Sequence, residues 1–219
     1  MQLDHVSYAV SPEEFVSTVG RLGSLLGAPF QDGGVHPRFG TRNFVLPLAG
    51  GMYLEVVTPL DHPATDSAPF GRAVKQRAEL GGGWLGWVAR VDDIGAAEER
   101  LGRPAVDGHR VRPDRVDLKW RQIGVLDLMD DPQLPYIIEW LDMNQHPSAD
   151  ARTTVCIRKL AIAGDPATVS QWLGEPENHP LDDVDVDWSA PGAPDDDDDA
   201  GSGLLAVYFE TPDGIVRID

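Results

Sequence analysis

Cysteine is nearly absent. The single Cys156 in 219 residues excludes an internal disulfide framework and any multi-cysteine zinc site, and its neighbours Val155 and Ile157 point to burial in a strand. Long apolar runs are missing as well, since no stretch approaches the ~18–20 residues that a membrane-crossing helix needs. The first strand begins almost at Met1 with no basic-apolar leader, so a soluble cytoplasmic protein is expected. Positive charge is scarce, with 18 Lys and Arg against 36 Asp and Glu and a net charge of -18. Without a basic stripe, neither nucleic acid nor an anionic membrane is an expected partner. Residues 175 to 203 hold nine Asp and two Glu and no Lys or Arg. The Asp195 to Asp199 run lacks the Gly and closing Glu of an EF-hand loop and is read as a solvated loop. Gly81-Gly82-Gly83 is not followed by Gly-Lys-Ser/Thr and precedes a strand, so it is a hinge and not a phosphate loop.

The chain does contain a repeat. Met52-Tyr-Leu-Glu-Val-Val57 is a strand with one carboxylate, Glu55, stopped by Pro59. Tyr136-Ile-Ile-Glu-Trp-Leu141 repeats the pattern with Glu139. Fifty residues before Glu55 lies His5-Val-Ser-Tyr-Ala-Val10, and 53 before Glu139 lies Gly86-Trp-Val-Ala-Arg-Val91, with Gly86 at the place of His5. A helical segment and two further strand-like runs fill each interval, which reads as two copies of β-α-β-β-β. In the first copy Ser11-Pro12-Glu13-Glu14 starts a helix that ends at Gly27. His5, Ser7 and Ala9 share one strand face. Thr58 to Gly83 links the copies, with Pro59, Pro63 and Pro69 in an extended half and residues 71 to 80 in a helical half.

His36-Pro-Arg-Phe-Gly-Thr-Arg-Asn43, Tyr53-Leu54-Glu55, Gly86-Trp87-Val88, Ile138-Glu139-Trp140 and His146-Pro147 together resemble the glyoxalase-like family of the vicinal oxygen chelate superfamily. The resemblance covers roughly residues 1 to 148. It implies an α+β fold in which paired βαβββ modules, about 1–62 and 82–147, curl a mixed sheet into a barrel-like cleft with helices outside. It also implies a metal site carried by His5, Glu55 and Glu139, with Gly86 where a fourth ligand would stand. Imidazole and carboxylate suit a divalent Zn, Ni, Mn or Fe ion. The missing ligand leaves either a three-residue site with more water or no metal.

Val111-Arg112-Pro113 echoes Val35-His36-Pro37, so Arg112 is expected where the first module has His36. His36, Asn43, Arg112, Trp84 and Trp120 are the expected substrate pocket. The remaining 149–219 reads as a degenerate βαββ half-module with an acidic loop, which packs on the first two or completes a homodimer. Two functions lead among those the resemblance implies, ahead of ring-cleaving dioxygenase chemistry, which wants two His and one Glu, and of an interaction module with an empty pocket. One is metal-assisted isomerase or lyase chemistry on a small hydroxy-carbonyl molecule, with Glu55 or Glu139 moving a proton. The other is metal-free binding or sequestration of a small molecule in the same cleft.

Overall fold

The protein is described here by a computed structural model covering residues 1–112, 115–125, 130–191 and 201–219. The Asp195 to Asp199 run lies outside the described residues. The first module comprises β1 (Gln2–Ala9), α1 (Phe15–Leu26), β2 (Gln31–His36), β3 (Thr41–Leu48) and β4 (Met52–Pro59). Ser11 does not cap α1 directly. Its hydroxyl and the Glu14 carboxylate and amide close a turn that delivers the chain to the helix. Phe15, Thr18, Leu22 and Leu26 recur on one face and are buried, and Gly27 ends the helix in the left-handed conformation that glycine adopts without steric penalty.

The linker departs from its expected extended half. Pro63 and Pro69 open two helices, α2 (Pro63–Ser67) and α3 (Pro69–Glu79). The first helical turn tolerates proline because its N–H has no partner there in any case. The second module then repeats the order with β5 (Gly83–Arg90), α4 (Gly95–Leu101), β6 (Val106–Val111), β7 (Asp117–Ile123) and β8 (Tyr136–Trp140).

All eight strands join one sheet in the order β2-β3-β4-β1-β5-β8-β7-β6. The modules meet along the antiparallel pair β1 and β5, and each module closes its own end with a parallel pair, β1 with β4 and β5 with β8. Period-2 alternation then gives the sheet two different faces. On β4, Met52, Leu54 and Val56 enter the main hydrophobic core with Leu3, Leu22, Leu26 and Trp87, whereas Tyr53 and Glu55 face the concave side. Each fully buried Leu contributes about 1.5–3 kcal/mol. The sheet curls until its two edge strands, β2 and β6, approach across a cavity, so that the barrel is nearly closed.

Beyond residue 148 the chain builds a second sheet from β9 (Cys156–Ala163), β10 (Asp185–Ser189), β11 (Gly203–Thr211) and β12 (Gly214–Ile218), with α5 (Pro166–Leu173) following β9. Its order is β10-β9-β11-β12. The segment thus has the strand count of a full module with a different pairing. β10 falls inside the acidic stretch, where Asp185 and Asp187 alternate outward against half-buried Val186 and Trp188. Cys156 sits at the first position of β9 and is only half-buried, against the expectation of a buried strand residue. Ile157, Leu160, Val207 and Phe209 share one core with Leu3 and Trp87, and Trp84 Nε1 donates to the Ile218 carbonyl at 3.0 Å. Among the described residues, no helix is long and apolar enough to cross a membrane.

Candidate functional site

A cavity of about 320 Å³ opens on the concave face, lined by His5, His36, Asn43, Tyr53, Glu55, Phe70, Arg110, Trp120, Tyr136, Ile138 and Trp140 among others. Strand register explains how these side chains meet. His5 lies opposite Tyr53 on β4, and the two rings stack with centroids 4.3 Å apart. Ser7 lies opposite Glu55, and its Oγ donates to Glu55 Oε2 at 2.7 Å. Asn43, on the neighbouring strand β3, donates from Nδ2 to Glu55 Oε1 at 2.5 Å. His36 pairs across the β2–β3 hairpin with Thr41, whose Oγ1 is 3.3 Å from His36 Nδ1.

Asp4 enters the site through an irregularity. Strict alternation would turn it away from His5, but β1 slips register against β5 between Leu3 and His5, leaving Asp4 as the extra residue of a bulge. Bulges re-aim side chains in this way. The Asp4 carboxylate, fully buried, accepts a hydrogen bond from His5 Nδ1 at 2.6 Å on Oδ1. On Oδ2 it accepts from Trp140 Nε1 at 2.9 Å and His146 Nε2 at 3.1 Å, and Arg90 Nη1 lies 3.6 Å away. His146 is oriented in turn by Ser148, whose Oγ lies 2.6 Å from Nδ1. The other nitrogen of His5 faces the Tyr136 hydroxyl at 2.9 Å, which completes an Asp4–His5–Tyr136 chain along the cavity wall.

Burial alone would raise the Asp4 carboxyl, but its hydrogen bonds to His146 and His5 outweigh burial and hold it well below the usual carboxylate range. Burial likewise pushes Glu55 up, while the neighbouring His5 and His36 and the Ser7 and Asn43 hydrogen bonds bring it below its ordinary value. Tyr53 and Tyr136 are raised well above the ordinary phenol value, first by burial and then by the nearby Asp4 and Glu55 carboxylates. Both phenols therefore stay protonated. His36 is pushed down to about 3 by burial and by the Arg110 guanidinium, against the pull of Glu55. Arg110 Nη1 donates to His36 Nε2 and, at 3.0 Å, to Asn43 Oδ1. Because arginine can only donate, His36 Nε2 is the acceptor and Nδ1 carries the proton.

The structure gathers His5, Glu55, His36, Asn43 and Trp120 around one cavity, and it sends three other expected residues elsewhere. Glu139 pairs across β7–β8 with Arg121, 3.5 Å away, and Arg121 also holds Glu98 of α4 at 2.9 Å. Trp120 and Trp140, paired one position before and after them, face the cavity with ring centroids 5.5 Å apart. Glu139 is thus on the outer face. Its apparent match to Glu55 fails on register, because His5 pairs with Tyr53 and Val88 with Tyr136, the same offset of 48 residues in both modules. With Gly86 matched to His5, the position that matches Glu55 is Tyr136. Trp84 is packed toward the second sheet. Arg112 lines a separate depression with Gln31, Asp32 and Gly33, and Arg110 takes the cavity position.

Ser7, Tyr53, Tyr136 and His146 are not among the site residues the sequence points to, and Asp4 and Arg110 stand out there only as a neighbour of His5 and as one of several nearby cations. For Tyr53 and Tyr136 the signal was present in the period-2 pattern that also exposes Glu55. For Asp4 only the bulge reveals it.

Gly108, opposite Trp120 on β6, makes room for that ring. A methyl group there would sit 2.3 Å from Trp120 Cε2 and Nε1. Gly108→Ala is expected to displace the indole into the cavity at about 1 to 3 kcal/mol. The thermal midpoint should fall and tryptophan emission should shift, and an unchanged spectrum with an unchanged midpoint would contradict this packing.

A divalent metal does not fit the donors present. Among the described residues no group of three His, Cys, Asp or Glu side chains is placed to hold an ion. His5 has both ring nitrogens engaged, Glu55 has both oxygens engaged, and the second module offers Gly86 and Tyr136 where ligands would stand.

Paired βαβββ modules around a concave pocket define a vicinal oxygen chelate fold. The chain belongs to the glyoxalase-like domain family, whose family model matches residues 3–176. A hypothetical protein from Staphylococcus aureus has the same fold over 100% of this chain and 98% of its own, at 14% identity and a TM-score of 0.68. Methylmalonyl-CoA epimerases are more distant. The Mycobacterium tuberculosis enzyme matches 64% of this chain and 86% of its own at 17% identity, TM-score 0.41. A Streptomyces coelicolor epimerase in complex with 2-nitronate-propionyl-CoA matches 64% and 96% at 18% identity, TM-score 0.41. No curated protein matches the sequence.

Proposed function

We propose that the protein binds a small, largely apolar oxygenated molecule in the β1–β8 cavity without a metal. One observation carries this reading. The groups that a chelated ion would need are tied into protein hydrogen bonds, Asp4–His5–Tyr136 on one wall and Ser7–Glu55–Asn43 on the other, and Glu139 is paired with Arg121 outside. The aromatic wall of Tyr53, Trp120, Tyr136 and Trp140 supplies apolar area with a few convergent polar atoms, as small-molecule sites do.

Acid–base chemistry on the bound molecule is the second reading, and the Asp4–His5–Tyr136 chain favours it. With Nδ1 held by Asp4, His5 can take a proton at Nε2 from Tyr136 as Tyr136 takes one from the ligand. Metal-assisted isomerase or lyase chemistry draws support from family membership alone.

The test is elemental analysis after incubation with Mn²⁺, Ni²⁺ and Zn²⁺, combined with a thermal-shift screen of hydroxy- and oxo-carbonyl compounds. The expected result is no stoichiometric metal, together with at least one compound that stabilises the fold. A ligand at a hundredfold excess over Kd adds about 2.7 kcal/mol, roughly 5–10 °C for a chain of this size. One equivalent of metal that is lost in both His5→Ala and Glu55→Ala would overturn the metal-free reading.

A further inference from the structure

We propose that the ligand of this cavity carries a carboxylate, and that the carboxylate docks side-on against the Nε and Nη2 edge of the Arg110 guanidinium. The inference rests on the metal-free binding reading and names its ligand class. The chain has twice as many acidic as basic residues, and several of its cations have a carboxylate partner. Arg42 pairs with Asp32, Arg90 with Asp4, Arg121 with Glu98 and Glu139, and Arg158 with Glu210. Arg110 lines the cavity. It is half-buried in the cavity wall, yet among the described residues no carboxylate lies within ion-pair distance of it.

Both protons of Arg110 Nη1 go to uncharged acceptors, His36 Nε2 and Asn43 Oδ1. A guanidinium has five N–H donors in a rigid plane, so these two bonds fix its orientation and leave the Nε and Nη2 edge to a planar, two-oxygen acceptor. A half-buried cation with no carboxylate in direct contact leaves a favourable place for an anion. The carboxylates nearest the cavity do not serve it directly. Asp4 is enclosed by His5, His146 and Trp140, and Glu55 uses one oxygen for Ser7 and the other for Asn43. His36 stays neutral across ordinary pH, so it adds no competing charge and keeps accepting from Arg110. At the mouth, exposed Arg38 adds a second cation to the same lining. The rest of the wall, with Phe39, Phe70, Trp120, Ile138 and Trp140, suits a flat apolar body, so the ligand class is an aryl or branched-alkyl carboxylic acid.

The experiment is calorimetric titration at neutral pH and low salt with phenylacetate, 3-phenylpropionate, phenylpyruvate and indole-3-acetate, each against its primary amide. It uses the parent protein, Arg110→Met and Arg110→Lys, with circular dichroism and thermal midpoints confirming that the variants fold. At least one acid is expected to bind the parent tenfold or more tighter than its amide. That preference should vanish in Arg110→Met and survive in part in Arg110→Lys. Amides that bind as well as their acids, or an acid preference that persists in Arg110→Met, would overturn the carboxylate assignment while leaving the binding reading intact. Binding of neither series would remove the binding reading itself and the assignment with it.

Discussion

Replacing Asp4 with alanine is expected to lower the thermal midpoint by roughly 10 °C, or to prevent folding altogether. Asp4 is wholly buried and gathers hydrogen bonds from His5, His146 and Trp140, with Arg90 close by. Its removal leaves those donors buried and unanswered, and breaking a buried charged network from one side costs about 3–5 kcal/mol. For a domain of this length each kcal/mol is worth roughly 2–4 °C. Asp4→Asn should recover only part, because its single carbonyl oxygen can still accept from Trp140 and His146 while its N–H₂ then faces His5 Nδ1 and forces the other tautomer. The variants also remove the proton acceptor that orients His5, so ligand binding should weaken even where the fold survives. Calorimetric unfolding of both variants is the check, and a midpoint within about 2 °C of the parent would show that Asp4 is not the centre of this network.

Acidification from about pH 7 to about pH 5 is expected to destabilise the protein by about 2 kcal/mol, and His36→Gln is expected to abolish most of that loss. His36 falls from 6.5 to about 3 on folding because burial and Arg110 both oppose its protonation, with Glu55 pulling the other way. Between those values the unfolded chain binds a proton that the folded chain refuses, so stability rises with pH through the window and is lost as pH falls. One unit of difference is worth about 1.4 kcal/mol. Asp4 and Glu55 have lowered pKa values, so the stability they contribute is present above 3.8 and 4.5 respectively and is lost as pH falls further. Their sign is the same but their window is lower, which lets the two contributions be separated. Urea unfolding at the two pH values, in the parent and in His36→Gln, measures the difference. An equal loss in both proteins would mean that His36 is not shielded as the structure has it.

How far the sequence can be read depends on which interactions encode each feature. The repeat was legible because β-strands announce themselves by composition and alternation, and β4 and β8 share a pattern that survives in the chain itself. The same alternation correctly aims His5, Ser7, Tyr53 and Glu55 at one side. It fails for Glu139, where the 53-residue interval differs from the 50-residue interval by an odd number and so flips the side chain to the outer face. At β10 the alternation is present, with Asp185 and Asp187 outward and Val186 and Trp188 inward, but it is masked by the acidic run around it.

The sequence by itself therefore determined the family, the two βαβββ modules, and the shared facing of His5, Ser7, Tyr53 and Glu55. Only the tertiary structure decided the rest of the cavity wall. The bulge at Asp4, the register that puts Tyr136 where a second carboxylate was sought, and the approach of Arg110 to His36 and Asn43 each depend on how distant strands pair. A shift of one residue in pairing exchanges the faces of a strand, and nothing local to either strand records which register is adopted.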